Sequence, residues 1–339
     1  MTASPLPEDD DPRADVRLAF ARHATGQPAL CLERASTDAG FRSYWRTAGT
    51  TPSRIVMDSP PDKEDVQPWL RMHALLHDGG VRVPQVLARD VANGFLLLED
   101  LGAQTLLQTM QPDTADAWFD AAIDQLLRLQ AIAPPPGMTR YDEALLASEL
   151  RLFDDWFLQR HLGLELDCAA MDVLDAAYTR LIDAALAQPQ LLVHRDFMPR
   201  NLMPLDDGTL AVLDFQDAVI GPIAYDVLSL FKDAFLGWPE SDVARWLQRY
   251  HTRALQAGLP VPQWAQFQRD ADWIGIQRHL KVIGIFARLR HRDGKPKYLA
   301  DVPRFIAYLD AVLPRYRQFG DLHALLRTTV VPALQAQAA

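Results

Sequence analysis

Apolar positions recur at two different periods along this chain, and the change from one to the other divides it. Arg13 to Thr25 carries helical spacing that Gly26 ends. Leu30 to Met57 alternates, with a turn at Gly40 and the β-favouring run Phe41-Arg42-Ser43-Tyr44-Trp45, and predicts strands. Pro68 to His77 returns to helical spacing, with Trp69, Met72, Leu75 and Leu76 on one face and Gly79-Gly80 as the stop. Phe95-Leu96-Leu97-Leu98 is then an apolar strand that runs into the acidic turn Glu99-Asp100-Leu101-Gly102.

From Ala115 onward the pattern is mostly helical. Trp118, Ala122, Ile123 and Leu126 share a face that ends before Pro134-Pro135-Pro136-Gly137, and Leu146, Leu150, Phe153 and Phe157 make a second stripe suited to core packing. Helices are predicted over Met171 to Ala187 and Ser241 to Gln256. Between these two, the short apolar runs Leu191-Leu192-Val193 and Leu210-Ala211-Val212-Leu213 flank the turn signal Asp206-Asp207-Gly208, which predicts two buried strands joined as a hairpin. Trp273 to Leu289 is apolar on nearly every side, as a buried helix is, yet Arg278, Lys281 and Arg288 project from it in one narrow stripe. Buried cations are costly unless paired or facing a polar cleft, so the stripe either lines a pocket, forms salt bridges or is a solvated edge.

At 339 residues, 49% hydrophobic and 23% charged, the chain has room for two lobes around sizeable cores. A net charge of −10 speaks against nucleic acid as a partner and leaves small anionic ligands open. Cys31 and Cys168 stand far apart with no C-x-x-C, which fits a reducing compartment rather than a disulfide framework. Residues 1 to 12, acidic and proline-containing, read as a disordered tail and are the opposite of a signal peptide. No run approaches the roughly 18 apolar residues of a membrane span, so a cytoplasmic monomer with no membrane partner is expected.

The chemistry is concentrated in His194-Arg195-Asp196-Phe197-Met198-Pro199-Arg200-Asn201, followed by Leu213-Asp214-Phe215. This is the H-R-D-x-x-x-x-N plus Asp arrangement of kinase-type phosphotransferases. The loose transition state of phosphoryl transfer asks for alignment, charge neutralisation and removal of the acceptor proton. Asp196 suits the general base, while the amide oxygen of Asn201 and the carboxylate of Asp214 suit Mg²⁺, a hard cation that keeps several waters.

With Gly221-Pro222-Ile223-Ala224-Tyr225-Asp226-Val227 downstream, the chain resembles the aminoglycoside phosphotransferase (choline-kinase-like) family. The resemblance implies an α+β, bilobal protein-kinase-like fold, with a small mixed N-lobe over residues 13–99, a hinge at 100–103 and a mainly helical C-lobe over 104–339. It implies ATP and Mg²⁺ as cofactors, adenine read by the backbone at Glu99 and Leu101, and Asp226 and His194 in support, Asp226 accepting hydrogen bonds from the catalytic-loop backbone. Val193 to Met203, Leu213 to Ala218, Gln277 to Val282 and Ile285 to Arg288 are similar to one branch, the anomeric amino-sugar kinases of peptidoglycan recycling. That branch phosphorylates N-acetylmuramate and N-acetylglucosamine at the C1 hydroxyl. The likeness spans about Arg34 to Tyr316. With that acceptor, the stripe of Arg278, Lys281 and Arg288 reads as lining the sugar pocket and meeting the lactyl carboxylate of muramate or a phosphate, against the alternative of salt bridges or a solvated edge, and Asp217 is a further substrate-binding candidate.

One departure stands out. Kinases carry a lysine on the third strand, whereas Arg54-Ile55-Val56-Met57-Asp58 has none, leaving Arg46, Arg54 or Lys63 as the cation for the α/β-phosphates. The resembled family uses the same loop without a Gly-rich D-F-G, and here Asp214 is followed by Phe215-Gln216-Asp217-Ala218; Thr37-Asp38-Ala39-Gly40-Phe41 is a poor glycine loop at the place of a phosphate-covering one. Phosphorylation of an aminoglycoside or another small alcohol, which for polycations needs an acidic pocket, and a catalytically silent kinase-like binding module are the competing readings.

Overall fold

The computed structural model describes residues 11–37 and 41–338. Most of the tail expected over 1–12, the Gly40 turn and the 38–40 part of the expected phosphate-covering loop lie outside the described residues. In chain order the elements are α1 (Ala14–Thr25), β1 (Cys31–Thr37), β2 (Ser43–Ala48), β3 (Arg54–Asp58), α2 (Gln67–Asp78), β4 (Val86–Asp90), β5 (Phe95–Glu99), α3 (Leu106–Thr109), α4 (Ala115–Ala131), α5 (Glu143–Leu152) and α6 (Cys168–Ala187). There follow β6 (Gln190–Val193), β7 (Leu202–Pro204), β8 (Leu210–Val212), β9 (Val219–Pro222), α7 (Tyr225–Phe231), α8 (Glu240–Gln256), α9 (Trp264–Asp293), α10 (Val302–Val312), α11 (Gly320–Leu325) and α12 (Val331–Ala338). The chain is thus α+β, with its large sheet near the N-terminus and helices dominating thereafter.

The described chain separates into two compact units. The sheet unit runs up to Leu129 and includes Pro199–Asp217; the helical unit comprises Gln130–Met198 and the described residues from Ala218 onward.

In the sheet unit, five antiparallel strands stand in the order β1-β2-β3-β5-β4. β4 is short and half-exposed, and its three apolar residues, Val86-Leu87-Ala88, are too few to set a period in the hydrophobic pattern. Ala21 of α1 packs with Leu30, Trp45, Val56 and Leu97 into one core. Asp58 at the end of β3 is buried because Arg13 Nε at 2.8 Å and Arg17 Nη1 at 2.9 Å neutralise it from α1 and its cap, and the Arg17 guanidinium also lies over the Trp45 ring.

The Asp206-Asp207-Gly208 turn joins β7 to β8, with Leu202 opposite Val212 and Gly208 at a φ of 80°. The expected partner, Leu191–Val193, is instead β6 and pairs with β9 in the helical unit. The reason is local: closing the hairpin between flanking runs spans fewer residues than reaching back past the His194 loop, so Leu202-Met203 takes the place beside β8.

In the helical unit, Leu146, Leu150, Phe153 and Phe157 are all fully buried, and α5 continues into a π-helical segment, Phe153–His161. Asp142 caps α5 by accepting from Leu145 N at 2.9 Å, and Asp167 caps α6 through Ala170 N at 2.8 Å. The helix expected over Trp273 to Leu289 is the middle of α9, which is 30 residues long and ends at Gly294 in the left-handed conformation. At Gly284, a Cβ on α9 would fall 2.3 Å from the carbonyl carbon of Leu152, so the backbones of the two helices meet where α5 changes to π winding. α10 to α12 complete the unit after the region in which the sequence pattern resolves elements.

Candidate active site

Arg195 and Asp214 are the non-glycine residues with positive φ among the described residues, at 74° and 61°. Left-handed backbone costs a residue with a side chain about 1 kcal/mol or more, and survives where the surroundings over-determine it. In each unit those surroundings are visible.

In the helical unit, Asp226 at the start of α7 is fully buried and accepts the backbone N–H of His194 at 2.7 Å and that of Arg195 at 3.0 Å. Burial pushes its carboxyl up to about 6, against the opposing influence of His194 and of those two N–H donors. His194 is buried edge-on to Phe197, and its Nδ1 accepts from Asp196 N at 3.3 Å. Asp196 itself is exposed, which a base that must meet a substrate hydroxyl requires.

Arg195 is held by its other end as well. Its Nη2 donates to Glu149 Oε1 at 2.6 Å, and Lys281 Nζ approaches the same oxygen at 2.9 Å. Lys281 further donates to the Tyr225 hydroxyl at 3.0 Å, and Tyr141 donates to Glu149 Oε2. Of the cationic stripe on α9, Lys281 is therefore buried in an ion pair. Arg278 is 3% exposed, and its Nε and Nη1 have no hydrogen-bond partner among the described residues. Arg288 is half-buried with its Nε likewise without a partner, and burial lowers its pKa.

In the sheet unit, Asn201 closes a 3₁₀ turn and its carbonyl accepts Leu213 N at 2.9 Å, which sets its backbone beside the residue that precedes Asp214. Phe215 is fully buried against α2, its ring centroid 5.1 Å from Trp69 and 6.2 Å from His73, so the residue after Asp214 acts as a plug. Gln216, at the position where many kinases have glycine, donates from Nε2 to Asp214 Oδ1 at 2.8 Å. Asp217 is exposed, with Oδ2 3.5 Å from the same amide.

A model of the phosphotransferase enzyme family matches residues 32–267. The chain belongs to the phosphotransferase enzyme family. A protein of Pseudomonas aeruginosa named N-acetylmuramate/N-acetylglucosamine kinase is 50% identical over 300 residues, 88% of either chain. A Pseudomonas putida protein of the same name is 48% identical over 309 residues, 91% of either chain. Among solved structures, choline kinase LicA from Streptococcus pneumoniae superposes with a TM-score of 0.62 at 14% identity, covering 88% of this chain and 99% of that one. The ADP-bound aminoglycoside phosphotransferase APH(2'')-Ib gives 0.58 at 14% identity, over 86% and 97%. The fold is the protein-kinase-like one that the catalytic loop led us to expect, and the chain is an enzyme of the phosphotransferase class.

This phosphotransferase lacks the third-strand lysine, and the structure shows what its alternatives do. Arg46 forms a two-pronged pair with Asp100, Nε to Oδ2 at 2.6 Å and Nη2 to Oδ1 at 3.0 Å, and also donates to Gly102 O at 2.8 Å. It ties β2 to the segment after β5. Arg54 donates to its neighbour Ser53 O at 2.9 Å, and Lys63 is exposed beside Asp62 at 3.3 Å. The Glu99 side chain is gripped by Arg82 at 2.6 and 2.9 Å and its N–H donates to Gln85 O at 2.9 Å, whereas the backbone of Leu101 makes no hydrogen bond to described residues.

Mg²⁺, which the family resemblance implies, fits the donor chemistry here. One carboxylate and one amide oxygen are the hard donors that Mg²⁺ takes while keeping water and phosphate oxygens around it. Among the described residues, no group of three or more His, Cys, Asp or Glu forms an all-protein cage. No helix of the described residues is long and apolar enough to cross a membrane.

Proposed function

We propose that the chain is a sugar kinase that transfers the γ-phosphoryl group of ATP to the anomeric C1 hydroxyl of N-acetylmuramate and N-acetylglucosamine, in the service of peptidoglycan recycling. The observation that carries the reading is 50% identity, over 88% of both chains, to a kinase named for these two sugars. Asp196 accepts the proton of the C1 hydroxyl as the new O–P bond forms and the bond to the ADP oxygen breaks. A hemiacetal hydroxyl is more acidic than an ordinary alcohol, so a simple carboxylate is a sufficient base. Asn201 and Asp214 hold Mg²⁺, which neutralises phosphate charge when bound.

Adenine is read at residues 99–103, by the Glu99 carbonyl and the unengaged backbone of Leu101. Arg278 takes the lactyl carboxylate of muramate, a role supported by a buried guanidinium with two donors unengaged. Arg288 and the exposed Asp217 are, each by itself, further candidates for binding the sugar. The reading places the reaction in the cytoplasm, where ATP is supplied.

The test is to incubate the protein with ATP and MgCl₂ and, separately, N-acetylmuramate, N-acetylglucosamine and kanamycin, and to read the products by ³¹P NMR. Coupling of the new phosphorus to the anomeric proton of either amino sugar is the expected result. ADP release with kanamycin alone overturns the assignment.

A further inference from the structure

Glu149 is a carboxylate that no step above uses. It lies on α5, 6% exposed, and its two oxygens bind Arg195, Lys281 and Tyr141. One side chain thus joins α5, the catalytic loop and α9, and through the Lys281–Tyr225 hydrogen bond it also reaches the first residue of α7. Burial raises its carboxyl, but the charges of Lys281 and Arg195 outweigh burial and hold it below the usual range, so it is the anion of a buried triad with one excess positive charge.

Buried ionic groups of this kind seldom repay their desolvation, and apolar residues of similar volume commonly serve stability as well or better. What the triad supplies here is geometry. Arg195 sits in the left-handed region with its N–H on Asp226 and its guanidinium on Glu149, so the residue is clamped at both ends immediately before Asp196. Lys281, the other cation on Glu149, lies close enough to Asp196 for the two charges to interact.

We infer that Glu149 is a positioning residue for phosphoryl transfer: by holding Arg195 and Lys281 together it fixes the backbone that presents Asp196, without touching either substrate. The inference rests on Asp196 being the base. It separates Lys281 from the substrate-binding cations, since its ammonium is engaged within the protein.

The test compares kcat and the KM values for ATP and N-acetylmuramate in wild type, Glu149→Gln and the charge-compensated pair Glu149→Gln/Lys281→Met, each below its own unfolding midpoint and with folding verified by circular dichroism. Misplacement of a reacting group by about 1 Å costs up to ~10²-fold, so Glu149→Gln is expected to lose roughly 10- to 100-fold in kcat with both KM values changed less than about 3-fold. The double variant is expected to recover part of that loss, because it returns the cluster from two excess positive charges to the wild-type one. If Glu149→Gln does not fold, Tyr141→Phe, which removes one hydrogen bond to the carboxylate, is expected to lower kcat in the same selective way.

Unchanged kcat in folded Glu149→Gln, or in Tyr141→Phe where that variant stands in, overturns the inference. So does a double variant no faster than the single one, or a loss confined to the KM of the sugar. Asp196→Asn in the same assay keeps the two claims apart: if it turns over normally, the base assignment fails whatever Glu149 does, and if it is inactive while the Glu149 variants are normal, only the positioning role fails.

Discussion

The carboxylate of Asp226 accepts the backbone N–H of His194 at 2.7 Å while fully buried, and the N–H of Arg195 shares it at 3.0 Å. Burial pushes that carboxyl up from 3.8 to about 6. Because the folded value lies above the unfolded one, folding takes up a proton: the contribution is complete below about pH 4 and is lost as pH rises through about 6. Urea unfolding of wild type and Asp226→Asn across this range should show the wild-type advantage shrinking with pH, with a slope of up to ~1.4 kcal/mol per pH unit. A flat or rising difference would contradict the buried placement.

Asp196→Asn should lower kcat by about 10² to 10⁴ fold, the range expected for loss of a general base, with little change in the KM for ATP. The side chain is exposed, so the far-ultraviolet circular dichroism spectrum and the unfolding midpoint should stay at wild-type values. Near-normal turnover in this variant would remove the base.

Arg278→Gln should discriminate between the two amino sugars. A charge-assisted hydrogen bond to a carboxylate is worth about 1.5–3 kcal/mol, so the KM for N-acetylmuramate should rise roughly 10- to 100-fold while that for N-acetylglucosamine, which has no carboxylate, stays put. Steady-state kinetics with both sugars decide it. Equal losses on the two would assign Arg278 to the fold rather than to the ligand.

Gly284→Ala sets two effects of opposite sign against each other. In an exposed helix the change favours folding by about 1 kcal/mol. Here the added Cβ would meet Leu152 C at 2.3 Å and Phe153 N at 2.6 Å, and both are backbone atoms that cannot rotate away. Overpacking of this kind costs about 1–3 kcal/mol or more, so a net loss is expected in urea unfolding, with Gly275→Ala, whose nearest contact is a Leu228 methyl carbon at 3.4 Å, as the milder comparison. A stabilised Gly284→Ala protein would refute the close approach of α9 to α5.

Local signals carried far in this chain. Gly26 ends α1 in the left-handed conformation because a residue without Cβ adopts it freely, and the stripe Leu146, Leu150, Phe153 and Phe157 became a buried helix face because its spacing leaves it no other way out of water. β4 is silent for the converse reason: its residues are half-exposed, its run Val86-Leu87-Ala88 is too short to show a period, and its place comes from pairing with β5. The hairpin around Gly208 is legible as a turn, yet local pattern does not identify its first strand, because two apolar runs lie upstream and periodicity does not say which one the turn brings back.

By itself the sequence determined the α+β class, the order of chemistry from His194 to Asp214 and the family to which that order belongs, since these depend on residue identities at short spacing. The tertiary structure alone decided that Glu149 meets Arg195 and Lys281, that Phe215 packs on Trp69, and that of three cations on one helical stripe Lys281 is spent on an internal ion pair while Arg278 is buried with two nitrogens lacking a hydrogen-bond partner among the described residues. Such pairings join residues from 46 to 146 positions apart. They depend on which faces of which elements come into contact, and no local pattern of polar and apolar residues encodes that.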